Sequence, residues 1–152
     1  MGDREGQRVV DVEQDAGPDR HLGTARTFRT VTPAHAFAEA RLPLLIVLAG
    51  RGEGGWTALR TTGFLPLARS GRAVLAYPDG VGRSWNAGAG CCGLAGRQRP
   101  PDTAFVAAVA ATSVRDLPID PSRIYLAGYS NGGKLAYSVL CADPARYAGV
   151  AT

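Results

Sequence analysis

At 152 residues, 45% of them hydrophobic, the chain is long enough for one buried core and falls within the usual size of a single domain. Its formal net charge of +4 comes from arginines interspersed with acids, not from a basic stripe, so charge does not mark a nucleic-acid binder. No apolar run approaches the roughly 20 residues that cross a bilayer, and the N-terminus MGDREGQRVVDVEQDAGPDRHLG lacks an apolar secretory segment. The chain as written is therefore expected in the cytoplasm, with no membrane or nucleic-acid partner.

Residues 1–23 are rich in Asp, Arg, Glu and Gly and read as a loose tail, with the ordered domain running from 24 to 152. TARTFRTVT, Thr24 to Thr32, has alternating β-branched and aromatic residues before Pro33 and suits an outer strand pairing with the next run. That run, LPLLIVLAG from Leu42 to Gly50, is almost wholly apolar, as in a strand covered on both faces. Trp56 to Arg69 reads as helical, with Gly63 and Pro66 arguing for a break. RAVLAYP, from Arg72 to Pro78, is another buried strand, stopped by Asp79-Gly80.

Asp79 to Pro101 shows no period and reads as one long loop, a length that is uncommon without a binding or catalytic use. Asp102 is positioned to cap a helix, TAFVAAVAATSVRDL, whose Phe105, Val106 and Val109 share a face. A strand RIYLAG, a helix from about Asn131 to Ala142 with Leu135, Val139 and Leu140 inward, and the start of a strand in YAGVAT complete the chain. Strands alternating with helices predict an α/β domain with a largely parallel sheet and helices on both faces. Ligands in such sheets bind at the carboxyl ends of the strands. Cys91 and Cys92 are adjacent and Cys141 stands apart. Adjacent cysteines rarely pair with each other, so the three read as packed or free thiols, with one bridge from the doublet to Cys141 as the alternative.

The stretch LAGYSNGGKL fits two motifs. Gly128 to Lys134 matches most of a phosphate-cradling G-x-x-x-x-G-K loop, but Leu135 stands where that loop needs a hydroxyl for magnesium. Gly128-Tyr129-Ser130-Asn131-Gly132 matches the G-x-S-x-G nucleophile elbow, in which the flanking positions must be small because the serine sits in a strained strand-to-helix turn. The bland alternative is a serine that merely caps the helix after it.

LPLLIVLAGRGEGG, YPDGVGRSWNAGAGCCG, DTAFVAA and IDPSRIYLAGYSNGGKLAYSVLCADPARYAGVA, in this order and spacing, resemble the polyhydroxybutyrate depolymerase and feruloyl esterase type of serine esterases. The resemblance runs from about Thr27 to Thr152 and implies an α/β-hydrolase fold, a mostly parallel sheet flanked by helices, truncated after the nucleophile elbow. It implies Ser130 as the nucleophile that forms an acyl-enzyme, with the backbone N–H groups of Asn131 and of the loop near Gly50 and Arg51 as the oxyanion hole. Asp79, Trp85 and Asn86 fall in the block that borders the substrate in relatives, Trp85 as an apolar or stacking wall; packing of a loop is the alternative for all three. The resemblance implies an ester substrate of polyester or hydroxycinnamoyl type, no cofactor and no metal, and an extracellular setting.

The chain departs from the pattern where relatives carry His-Gly and it has Ala49-Gly50, and where an Asp-Asp pair is replaced by Pro101-Asp102. The Asp and His partners expected after later strands would lie beyond Thr152. The histidines of the chain are His21, in the tail, and His35, between the first two strands, and only His35 is placed to substitute as a base. The expectation is thus an esterase portion inactive by itself. The alternative is a non-catalytic remnant that binds an acyl or aryl ligand, or a partner or second copy that covers the open sheet edge.

Overall fold

The computed structural model describes residues 7–12, 26–34 and 41–152. They form a six-stranded sheet in the order β1-β2-β4-β3-β5-β6, with β1 Gln7–Val12, β2 Arg26–Val31, β3 Leu42–Leu48, β4 Val74–Pro78, β5 Ile119–Gly128 and β6 Gly149–Ala151. The pairs β3 with β4, β3 with β5 and β5 with β6 are parallel, while β1 and β2 join antiparallel at the β4 side.

The apolar continuity of β3 and β4 follows from their central place. Leu44, Ile46 and Leu48 point into one core with Val74, Ala76, Leu126 and Leu135, whereas Val47 and Ala49 point into a second with Leu75 and Tyr77. Alternate residues face opposite sides of a sheet, so a strand buried on both faces cannot alternate in polarity. The first core is covered by α4 (Asp102–Asp116) and α5 (Asn131–Ala142), the second by α1 (Gly55–Thr61) and α2 (Leu65–Arg69). Each large apolar side chain removed from water in these cores contributes about 1.5–3 kcal/mol. The break between α1 and α2 falls where Gly63, with a φ of 74°, precedes the Pro66 that opens α2.

Four expectations need correction. Gln7–Val12 is a strand although it lies within the segment read as a tail; its three valines favour extended backbone, and the charged residues around them mask that signal. β2 does not pair with β3 and is not an outer strand: it lies between β1 and β4, because both long sides of β3 are taken by β4 and β5. The segment 79–101 contains a short helix, α3, Gly93–Gln98. Asp102 is the first residue of α4 and makes no capping bond, since its carboxylate is turned to Arg26 and the Asn86 N–H. His21 and His35 lie outside the described residues.

Candidate active site

β5 runs through the middle of the parallel part of the sheet, and its carboxyl end delivers Ser130 to the exposed rim. Ser130 has φ 54° and ψ −121°, far from the left-handed helical basin in ψ and costly for any residue with a Cβ. The chain reverses so tightly here that a Cβ on Gly128 would sit 2.6 Å from the Gly132 carbonyl oxygen, and one on Gly132 would collide with the carbonyl oxygens of Leu48 and Ala49. Glycine at both flanking places is therefore a steric requirement. Ser130 occupies the N-cap position of α5, yet its hydroxyl makes no capping bond, so it does not serve the helix as an ordinary capping serine does.

Asn131 opens α5, and a first-turn N–H has no acceptor within its own helix. Gly50 lies opposite: a Cβ built there would be 3.6 Å from the Ser130 Cβ. Arg51 follows on the exposed side of the same loop. The structure thus gathers Ser130, Asn131 and Gly50 at one point. The loop is held at Gly52, whose N–H donates to the Arg83 carbonyl at 2.7 Å, and at Glu53, whose carboxylate accepts from the Tyr129 hydroxyl. Burial, with the Glu53 carboxylate adding to it, pushes the Tyr129 phenol above its ordinary value, so it remains a neutral donor at neutral pH.

Asp79, Trp85 and Asn86 have bonded places inside the loops. Asp79 accepts from the Gly55 N–H, the Thr27 hydroxyl and the Arg29 guanidinium, each at 2.8 Å, and so ties the start of α1 to β2. Asn86 donates its N–H to Asp102 at 2.6 Å and its side-chain amide to the Pro100 carbonyl at 3.0 Å. Trp85 is 1% exposed and packs in the core under α5, so its ring is not an open wall for a substrate group. A large aromatic in a glycine-rich loop suggests a surface from sequence alone; here the loop folds it inward.

The sequence reading missed Arg26. Its guanidinium pairs with Asp102 at 2.5 Å, lies 3.8 Å from the centroid of the Phe105 ring and is almost wholly buried. Burial lowers the pKa of Arg26 and raises that of Asp102, against the attraction between them. No local pattern signals such a pair, because its members lie 76 positions apart in the chain. A second correction concerns the cysteines: Cys91 and Cys92 are bonded to each other, between Gly90 and Gly93 with φ of 72° and 68°, while Cys141 is a free, exposed thiol. Lys134 approaches the Cys91 sulfur at 3.5 Å.

Beside the elbow opens a cleft of about 500 Å³, lined by Val47, Phe64, Ala127, Tyr129 and Ala151 with Glu53 at its rim. It lies between the end of α1 at Thr61 and the sheet residues Val47, Ala127 and Ala151 of β3, β5 and β6, next to Gly128 and Tyr129. Among the described residues there is no histidine and no group of three His, Cys, Asp or Glu side chains arranged to hold a metal ion.

No protein-family model matches the chain. It is 33% identical over 133 residues to NocK, a protein of Nocardia uniformis subsp. tsuyamanensis named as an esterase; the match covers 86% of this chain and 38% of that one. Among solved structures, S-formylglutathione hydrolase of Agrobacterium tumefaciens superposes with a TM-score of 0.71 at 18% identity, over 95% of this chain and 56% of that one. An acetyl xylan esterase of Aspergillus awamori gives 0.71 at 12% identity, over 94% and 50%. A ferulic acid esterase gives 0.64 at 17% identity, over 96% and 57%. The chain thus spans between about two fifths and three fifths of the length of these relatives. The sequence is similar to part of an esterase, and the sheet, with a strained serine at the end of β5, has the α/β-hydrolase fold.

Proposed function

We propose that this chain carries the nucleophile half of a carboxylic-ester hydrolase that works through an acyl-enzyme on Ser130. The observation that carries the reading is the backbone of Ser130, φ 54° and ψ −121°, exposed and free of any capping duty at the end of a parallel strand. Strain held at one exposed serine is characteristic of a group presented for reaction.

In this reading the Ser130 Oγ attacks the ester carbonyl carbon, and the new oxyanion accepts from the Asn131 N–H and from the peptide N–H of Gly50 or Arg51. Collapse expels the alcohol, and water then releases the acid. A base must take the serine proton in the first step. With no histidine among the described residues, hydrolysis by this chain alone is residual, resting on the oxyanion donors and on binding. The apolar cleft beside Tyr129 and the likeness to a ferulic acid esterase favour a bulky acyl group of the hydroxycinnamoyl or polyester type.

Turnover of p-nitrophenyl butyrate by the purified chain and by Ser130→Ala tests the proposal. A slow rate that Ser130→Ala abolishes supports it, and a rate equal in both refutes it. A second reading is favoured by the cleft and by the outer side of β6, the edge strand of the sheet among the described residues. There the chain binds an acyl or aryl ligand, or a partner or second copy that extends the sheet, without chemistry. Saturable binding of a hydroxycinnamate with no Ser130-dependent turnover would select it.

A further inference from the structure

The loop after β3 and the first turn of α5 are joined by a residue that belongs to neither, Trp85. The Trp85 main-chain N–H donates to Asn131 Oδ1 at 2.7 Å, and its main-chain carbonyl accepts from Asn131 Nδ2 at 3.1 Å. Its indole Nε1–H donates to the Ala49 carbonyl at 2.8 Å. Both side chains are buried, Trp85 at 1% and Asn131 at 2% exposed, so these bonds face no competition from water. An amide that meets both main-chain groups of one residue fixes its position and its rotation together.

The Ala49 carbonyl and the Gly50 N–H belong to one planar peptide unit and point in opposite directions. A bond that aims the carbonyl therefore aims the N–H. Ala49 has no side chain able to do this; on the far side Gly50 is backed by the Tyr129 ring and its carbonyl accepts from the Glu53 N–H at 3.3 Å, while Gly52 is held to Arg83, so the Ala49 carbonyl itself is aimed by the Trp85 indole. From these contacts we infer that Trp85 is a positioning residue: through Asn131 on one side and the Ala49 carbonyl on the other, it sets the direction and spacing of the Gly50 N–H relative to the Asn131 N–H. Both flank Ser130: Asn131 follows it in the chain, and a Cβ built on Gly50 would lie 3.6 Å from the Ser130 Cβ. The inference deepens the reading of Ser130 as nucleophile and rests on it for its catalytic meaning, while the positioning itself is a property of the fold.

Backbone ¹⁵N relaxation of the full chain and of Trp85→Phe, which keeps an aromatic ring and removes the indole donor, tests the positioning. The Gly50 amide is expected to fall from an order parameter of about 0.85 to below about 0.6 in the variant, while Gly52 stays rigid. An unchanged Gly50, or equal loosening of Gly50 and Gly52, overturns the inference, since a general packing role would spread the effect. Should Trp85→Phe lose its dispersed spectrum, the wild-type chain decides the matter. The Trp85 indole N–H should exchange with solvent at least about 100-fold more slowly than that of Trp56, which is 48% exposed, and equal rates overturn the inference. Labelling by an alkyl fluorophosphonate reports on the site separately. In Trp85→Phe the maximal rate should drop about 10- to 100-fold with the half-saturating concentration unchanged, the signature of a displaced oxyanion donor. Absence of any Ser130 adduct in the wild type would refute the nucleophile reading and leave the relaxation result to decide the positioning.

Discussion

If the elbow is strained as its dihedral angles indicate, removing the Cβ of Ser130 stabilises the protein, although glycine ordinarily weakens a helix terminus or strand end. A residue with a Cβ at φ 54° and ψ −121° carries about 1–3 kcal/mol of strain. Glycine relieves this and returns about 0.4–1 kcal/mol through the greater freedom of its unfolded chain. The balance is a gain of about 1.5 kcal/mol. At this chain length each kcal/mol moves Tm by about 2–4 °C, so Ser130→Gly should melt about 3–6 °C above Ser130→Ala. The alanine variant is the right reference because it loses the same exposed hydroxyl and keeps the Cβ. Thermal unfolding followed by circular dichroism measures the difference. Ser130→Gly melting at or below Ser130→Ala would refute the strain argument, and with it the claim that this turn holds its serine against backbone preference.

Other outcomes follow from the same contacts. Gly132→Ala drives a methyl group into the Leu48 and Ala49 carbonyls and should cost about 3 kcal/mol or more in urea unfolding, because β3 cannot retreat from two covered faces. Asp102→Ala leaves Arg26 buried without its partner and the Asn86 N–H without an acceptor; the expected loss is about 3–5 kcal/mol, much of it recovered when Arg26→Met is combined with Asp102→Leu. Asp120 is held down to about 2, first by the Ser122 hydroxyl and N–H and then by Arg123. Its contribution is complete above the ordinary value of 3.8 and disappears as pH falls through about 2. The Tm gap between wild type and Asp120→Asn should therefore close across that interval, and a constant gap would contradict the assignment.

What could be read from sequence was whatever depends on near neighbours. The two-sided burial of β3 and β4, the inward face of α4 at Phe105, Val106 and Val109, the break between α1 and α2 and the small residues around Ser130 all follow from a few adjacent positions. Pairing was not legible. That β2 lies beside β4, and that Gln7–Val12 adds another strand, depends on which long sides of the sheet remain open after β3 and β5 have met. The same limit applied within the site. Ser130, Gly50 and Asn131 were recognisable from a motif, whereas the inward turn of Trp85, the pairing of Asp102 with Arg26 and the strap from Tyr129 to Glu53 each join residues far apart in the chain. Asp102 shows the cost of reading locally: a first-turn aspartate is a good cap by rule, and here a buried guanidinium is the stronger claim on its carboxylate.

The measurement that bears most directly on the central claim is intact-mass analysis and peptide mapping after prolonged exposure of the folded chain to an alkyl fluorophosphonate, with Ser130→Ala treated in parallel. The account predicts one phosphonyl adduct per chain, on Ser130, and none on Ser130→Ala. No adduct, or an adduct that persists in Ser130→Ala, would contradict it.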